Sequence, residues 1–177
     1  MALIPDAAAV RSRGPRFAVA AVTLLVLAAD QVTKALVLSG RISGDAGWAS
    51  VRLVRNTGAA GGFASGLPLL VTLSAVAITG LASVLLLRAR GRVTALFIAA
   101  VLGGALGNLA DRAFRAPGLG RGAVVDWIHL AGRGGSLNLA DAAIQLGVLG
   151  AAIALLATRE KSAGRAASSR AAAREKG

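Results

Sequence analysis

"LPLLVTLSAVAITGLASVLLL", Leu67 to Leu87, holds no charged side chain, and its length decides the architecture. A hydrocarbon core about 30 Å thick is crossed by roughly 20 apolar residues at 1.5 Å rise each, so the stretch predicts a transmembrane helix. Three further stretches meet the same test. Phe17 to Leu38 is apolar until Asp30, Gln31 and Lys34 interrupt it, while Val93 to Ala110 and Leu137 to Ala157 each carry one Asn and one Asp at or just beyond an end.

Composition agrees with four spans. The 177 residues are 55% hydrophobic with a mean hydropathy of +0.68, too apolar for a soluble domain, in which roughly half the residues are apolar and more are charged. Only 3% are aromatic, so the apolar content is Ala, Leu, Val and Gly, the set from which lipid-embedded helices pack closely. The expected fold class is therefore an all-α membrane protein, a helical bundle rather than a barrel. Arg11, Arg13 and Arg16 before an apolar run ending in "LAAD" also fit a cleaved leader. "VTKALVL" beyond Asp30 extends that run to spanning length, and a retained first helix is the stronger reading.

The formal net charge of +12 would suggest nucleic acid if the basic residues formed one patch. They are instead distributed by loop. Three arginines precede the first span, Arg88, Arg90 and Arg92 join the second to the third, and six basic residues follow the fourth. Seven lie on the opposite side: Arg41, Arg52, Arg55, Arg112, Arg115, Arg121 and Arg133. The excess marks the cytoplasmic face and puts both termini there. The expected organisation is a basic N-terminal segment (1–16), a membrane domain (17–157) and a basic tail (158–177) that is solvated and weakly ordered, with no nucleic-acid partner.

Connectivity then gathers the acids. Span one exits, span three exits and span four begins where span three ended, so Asp30, Asp45, Asp111, Asp126 and Asp141 fall on one rim or beyond it. The repeated "NLAD", Asn108 to Asp111 and Asn138 to Asp141, should face itself across that rim. Between spans one and two, "ASVRLVRN" and the Gly-rich stretch after it predict a small strand or hairpin. "GAVVDWIHL" predicts another strand or an interfacial segment, with Trp127 suited to the headgroup layer.

Ionisable groups at the edge of a span are costly and count as functional candidates by default. Asp30 and Lys34 stand one turn apart, and a neutralising pair with the lysine snorkelling outward is an equal alternative. Asn138 is placed to cap the fourth helix, and Asp141 at its third position meets the positive end of the dipole. Asp111 near a helix C-terminus meets the unfavourable end, a cost that Arg112 would offset while Asn108 bonds freed carbonyls. Gly103 and Gly107 permit a close helix contact.

Asp126, flanked by apolar residues, and Asp141 can approach each other in a partly dehydrated pocket. Adjacent carboxylates share a proton, leaving one acid and one base, and such a pair hydrolyses an amide through an activated water. Competing chemistries are poorly supplied. The chain has no cysteine and a single histidine, His129, so no metal is expected. A Ser-Lys dyad would need Lys34, which Asp30 keeps protonated, and no phosphate-binding glycine fingerprint is present.

Taken in order, "DQVTK", "RNTGAA", "GGALGNLADR", "VVDW" and "LNLAD" resemble bacterial lipoprotein signal peptidase, also called signal peptidase II, over about Phe17 to Ala157. The resemblance implies four transmembrane helices with a small extracytoplasmic β-cradle. It implies an aspartic endopeptidase of the bacterial cytoplasmic membrane, with its site near the extracytoplasmic face. The substrate would be a diacylglyceryl-modified prolipoprotein, cut just before the lipid-bearing cysteine, with membrane lipid as the other partner and no cofactor. Asp126 and Asp141 match the family's catalytic pair. Asp30, Lys34, Asn56, Gly58, Asn108, Asp111, Arg112, Asn138 and Ala140 match positions that hold the pair or the substrate. Two departures bear on substrate preference: Gly61 and Gly62 intervene before Phe63, and Leu137 stands where Phe is common. The loop from Arg112 to Val125 is also long and Gly-rich. The alternative is a small ion-coupled transporter, suggested by the repeat at an exiting and an entering helix, although transporter sites favour the midplane.

Overall fold

Helix α3, Arg92–Phe114, lies between α1, Arg13–Leu38, and α4, Leu139–Arg174, with α2, Pro68–Arg88, packed chiefly against it. The computed structural model describes residues 13–59, 64, 66–89, 91–132 and 134–174. Arg11 with most of the basic N-terminal segment, and the Gly61-Gly62 departure, lie outside the described residues. Among the described residues four helices are long and apolar enough to cross a membrane, over Arg16–Leu38, Pro68–Arg88, Arg92–Phe114 and Leu139–Lys161.

Glycines let α3 approach both flanking helices. A methyl group placed on Gly103 would lie 2.6 Å from the Thr23 carbonyl of α1, and one on Gly104 would lie 2.5 Å from the Ala140 carbonyl of α4. Where lipid tails are as apolar as leucine, such backbone proximity is a main source of helix association. Thr23 adds a cross-link by donating from Oγ1 to the Ala99 carbonyl at 3.1 Å. Away from the polar end, Ala82, Ile98, Val101 and Ala151 form a small apolar core.

Three antiparallel strands sit beside one end of the bundle in the order β1 (Ala49–Asn56), β2 (Val124–Leu130) and β3 (Ser136–Leu137). Both segments predicted as strands are strands. Val51 pairs with Ile128 and the next pair is Val54 with Asp126, so β1 carries one extra residue opposite Trp127. This bulge shifts the register, and it leaves Asn56 diagonal to Asp126 on one face.

Several expectations need correction. Span three runs past Ala110 to Phe114, which keeps Asn108, Asp111 and Arg112 on helical turns and makes Arg115 the residue that caps the helix end. Span four starts at Leu139, not Leu137, because Asn138 caps it and Leu137 belongs to β3. The tail expected to be weakly ordered is helical to Arg174, in keeping with the high helix propensity of its alanines. Trp127 is half-buried with an unpartnered indole N–H, while Trp48 presents the exposed ring.

Candidate active site

The two NLAD segments do meet. Asn138 Oδ1 accepts from the Asp141 N–H at 2.8 Å, and Asp141 Oδ2 accepts from the Asn138 N–H at 3.2 Å, a reciprocal cap that fixes the start of α4. Asn108 donates from Nδ2 to Asp141 Oδ1 at 2.8 Å and accepts at Oδ1 from Asn138 Nδ2 at 3.1 Å. Its amide therefore serves Asp141 rather than the freed helix carbonyls expected for it. Helix-end carbonyls are left to the following loop, where Gly120 and Gly122 donate to the Arg112 carbonyl.

Asn138 also reaches across to the sheet, donating from Nδ2 to Asp126 Oδ1 at 2.7 Å. Asp126 Oδ2 accepts from Asn56 Nδ2 at 2.9 Å. Asn56 is itself held by a local turn, accepting from the Gly58 N–H at 2.8 Å and donating to the Ala59 carbonyl at 3.0 Å. Each oxygen of Asp126 and of Asp141 thus accepts one N–H, and Asn138 serves both carboxylates. Burial pushes the Asp126 carboxyl up from 3.8 to about 6; the Asn56 hydrogen bond opposes the rise, and the charge of Asp141 adds to it.

Beneath this pair lies a buried ionic group. Lys34 is fully buried and reaches Asp30 at 2.7 Å, Asp111 at 2.9 Å and the Asn108 Oδ1 at 3.1 Å. The snorkelling alternative is therefore set aside: three acceptors inside the bundle satisfy the ammonium better than a partial exit would. Asp30 accepts at its other oxygen from the Ala140 N–H at 3.0 Å, so the tight fit of Ala140 against α3 and the acid of α1 are one construction. Asp111 is compensated by Lys34, by Arg115 one turn on and by the Val125 N–H at 3.1 Å. Arg112, expected in that role, instead donates from Nη2 to the Gly58 carbonyl at 2.7 Å and ties the β1 end to α3.

All eleven residues predicted for the site fall in this assembly. Asp45 stays apart, accepting from the Gly47 N–H in the loop before β1. Two members were missed. Gln31 donates to Asp30 at 3.1 Å, to the Gly107 carbonyl at 3.1 Å and to Asp111 at 3.3 Å; an amide inside an apolar span was the available signal. Arg115 was assigned to the loop, although its four-residue spacing from Asp111 was visible. Among the described residues no group of three or more His, Cys, Asp or Glu side chains is arranged to hold a metal ion.

Above the pair opens a cleft of about 240 Å³ lined at its polar end by Asn56, Arg112, Asp126 and Asp141. Its other wall is apolar, with Leu70, Val71 and Ile78 from α2 and Ile144 from α4. An apolar chain can lie against that wall while a peptide bond reaches the carboxylates.

Fold and site together define a helical membrane protein with a paired-carboxylate cleft at one end of its bundle. The signal peptidase (SPase) II family profile matches residues 22–157, and the chain belongs to that family. It is 43% identical to the lipoprotein signal peptidase of Rhodococcus jostii, over 71% of this chain and 65% of that one. With that of Leifsonia xyli it shares 37% identity, over 75% of this chain and 64% of the relative. Matches to these two relatives thus span just under two thirds of their length. A bacterial membrane enzyme solved by the in meso method at 2.3 Å resolution superposes with a TM-score of 0.67 at 26% identity, covering 79% of this chain and 88% of that one.

Proposed function

We propose that this protein is an aspartic endopeptidase that removes the signal peptide from diacylglyceryl-modified prolipoproteins by cutting before the lipidated cysteine. Asp126 and Asp141 form the dyad. The observation that carries the reading is Asn138 donating to Asp126 Oδ1 at 2.7 Å and, through its backbone, to Asp141 Oδ2 at 3.2 Å, which holds two carboxylates from separate elements at one cleft.

In the resting pair Asp126 carries the shared proton and Asp141 is ionised. Water placed between them loses a proton to Asp141 as its oxygen attacks the scissile carbonyl carbon, while Asp126 protonates the carbonyl oxygen. Collapse of the gem-diol intermediate breaks the C–N bond: the departing amine takes the proton held on Asp141, and one gem-diol hydroxyl returns its proton to Asp126 as the carbonyl re-forms, which restores the resting pair. No cofactor enters the reaction. The apolar wall of α2 and α4 takes the signal segment from the bilayer, and Asn56, Gly58 and Arg112 hold the strand end against the substrate backbone.

The excess of basic residues at the opposite end of the spans supports both termini in the cytoplasm and the site near the extracytoplasmic face. A single membrane domain of 17–157 carries the chemistry, flanked by the basic segments 1–16 and 158–177. The test is purified protein in vesicles with a diacylglyceryl-modified prolipoprotein, the products identified by mass. Cleavage before the lipidated cysteine is expected. Absence of cleavage by well-folded protein, or equal cleavage of the unlipidated precursor, would overturn the assignment, and solute uptake in the same vesicles would favour the transporter alternative.

A further inference from the structure

Seven ionisable side chains converge where the three packed helices meet the sheet, and their charges can be counted. Around Lys34 stand Asp30 on its own helix, Asp111, Arg112 and Arg115 on α3, Asp126 on β2 and Asp141 on α4. The β1 arginines, Arg52 and Arg55, are exposed. Asp30, Lys34, Asp111, Arg112 and Asp126 are all buried, while Asp141 and Arg115 are partly covered. Three cations face four carboxylates. A net charge in such a dehydrated group is costly, and the count closes to zero only when the carboxylates hold one proton among them.

Asp30 and Asp111 are the two carboxylates in direct contact with a buried cation. Each faces the Lys34 ammonium directly, at 2.7 Å and 2.9 Å, and each accepts a backbone N–H besides, from Ala140 and from Val125. The proton falls to the remaining two, whose donors are amides and a backbone N–H rather than cations. Lys34 also acts through geometry: together with Asn138 Nδ2 it donates to Asn108 Oδ1, which turns the Asn108 amide so that Nδ2 faces Asp141.

We infer that Lys34 is a positioning residue that sets the proton count of the Asp126–Asp141 pair at one, by balancing the buried charge and by orienting Asn108. The inference rests on the proposed dyad. It requires no contact between Lys34 and substrate.

The experiment is the pH profile of kcat/KM for cleavage of the lipidated prolipoprotein by full-length protein. Lys34→Gln removes one positive charge, so both limbs should move to higher pH, by roughly one to three units for a charge at this distance. Asp30→Asn removes one negative charge, so both limbs should move to lower pH. The paired variant Lys34→Gln with Asp30→Asn restores neutrality without restoring the ion pair, and its limbs should return close to those of the unaltered protein, with a lower rate from the lost Asn108 contact.

A lower rate at unchanged limbs in both single variants would overturn the inference and make Lys34 a structural residue only. A paired variant whose limbs stay displaced would overturn it as well. If Lys34→Gln alone does not fold, Asp30→Asn and the paired variant still decide the matter, because opposite or absent displacements contradict it. Failure of the unaltered protein to cleave would refute the proposed function instead, a separate outcome.

Discussion

Helices α2 and α3 are neighbours of similar length, yet they are held in opposite ways. In α2 no acid is present, only Val71 and Ala82 are buried, and leucines such as Leu73, Leu81 and Leu87 face outward. In α3, Gly103, Gly104 and Gly107 press against α1 and α4, and Asp111 and Arg112 are buried at its end. Apolarity alone does not fix a helix among lipids, because a leucine gains little by exchanging lipid for protein. Close backbone contact and compensated polar groups do fix it. The weakly held helix forms most of the apolar wall of the cleft, and the tightly held one carries Asn108 and Arg112 of the polar floor, beside Asp126 of β2 and Asp141 of α4.

The contrast breaks most sharply at the floor. Asp126→Asn or Asp141→Asn should lower kcat/KM by roughly 10²–10⁴-fold or more, with helical content and detergent melting unchanged; retention of activity in either variant would remove the dyad. Next in size is Gly104→Ala, whose new methyl group meets the Ala140 carbonyl. Overpacking of this kind should cost about 1–3 kcal/mol in a denaturing-detergent titration and lower activity with it.

A third change sharpens the floor without dismantling it. Asp126 loses its proton as pH rises through about 6, and the form with one shared proton is lost with it. Accordingly kcat/KM should descend through about that pH, the descent for kcat lying higher because bound substrate excludes more water. Asn56→Ala removes the hydrogen bond that lowers this value, so the descending limb should move up by roughly one to two pH units. An unmoved limb would show that Asn56 does not govern Asp126. The smallest effect belongs to the wall: Gly80→Ala on α2 meets nothing within 4 Å and should stabilise by about 0.5–1 kcal/mol. A destabilising result there would mean that α2 is packed as tightly as α3.

Much of the site is legible in the sequence, since a carboxylate or amide at the end of an apolar span has few bland explanations. Asp30, Lys34, Asp111 and both NLAD segments stand out for that reason, and connectivity alone brings them to one rim. What was misread concerns partners. Lys34 looked able to reach outward, Arg112 was matched to its sequence neighbour Asp111, and Asn108 to the helix carbonyls. The last two errors assumed the nearest group in sequence, whereas the acceptors come from other elements, Gly58 for Arg112 and Asp141 for Asn108; Lys34 keeps its helix neighbour Asp30 and turns inward because Asp111 of α3 adds a second carboxylate.

Spans, loops and the positions of polar residues along them follow from the chain alone, because hydrophobic length and charge are properties of a segment read by itself. Pairing of those polar groups was decided in three dimensions. It depends on how far each helix is rotated, which the glycine contacts of α3 determine, and on the extra residue in β1 that brings Asn56 to Asp126. Hydrogen bonds are short and directional, so a rotation or register shift of one residue would leave the same side chains near one another and unpaired.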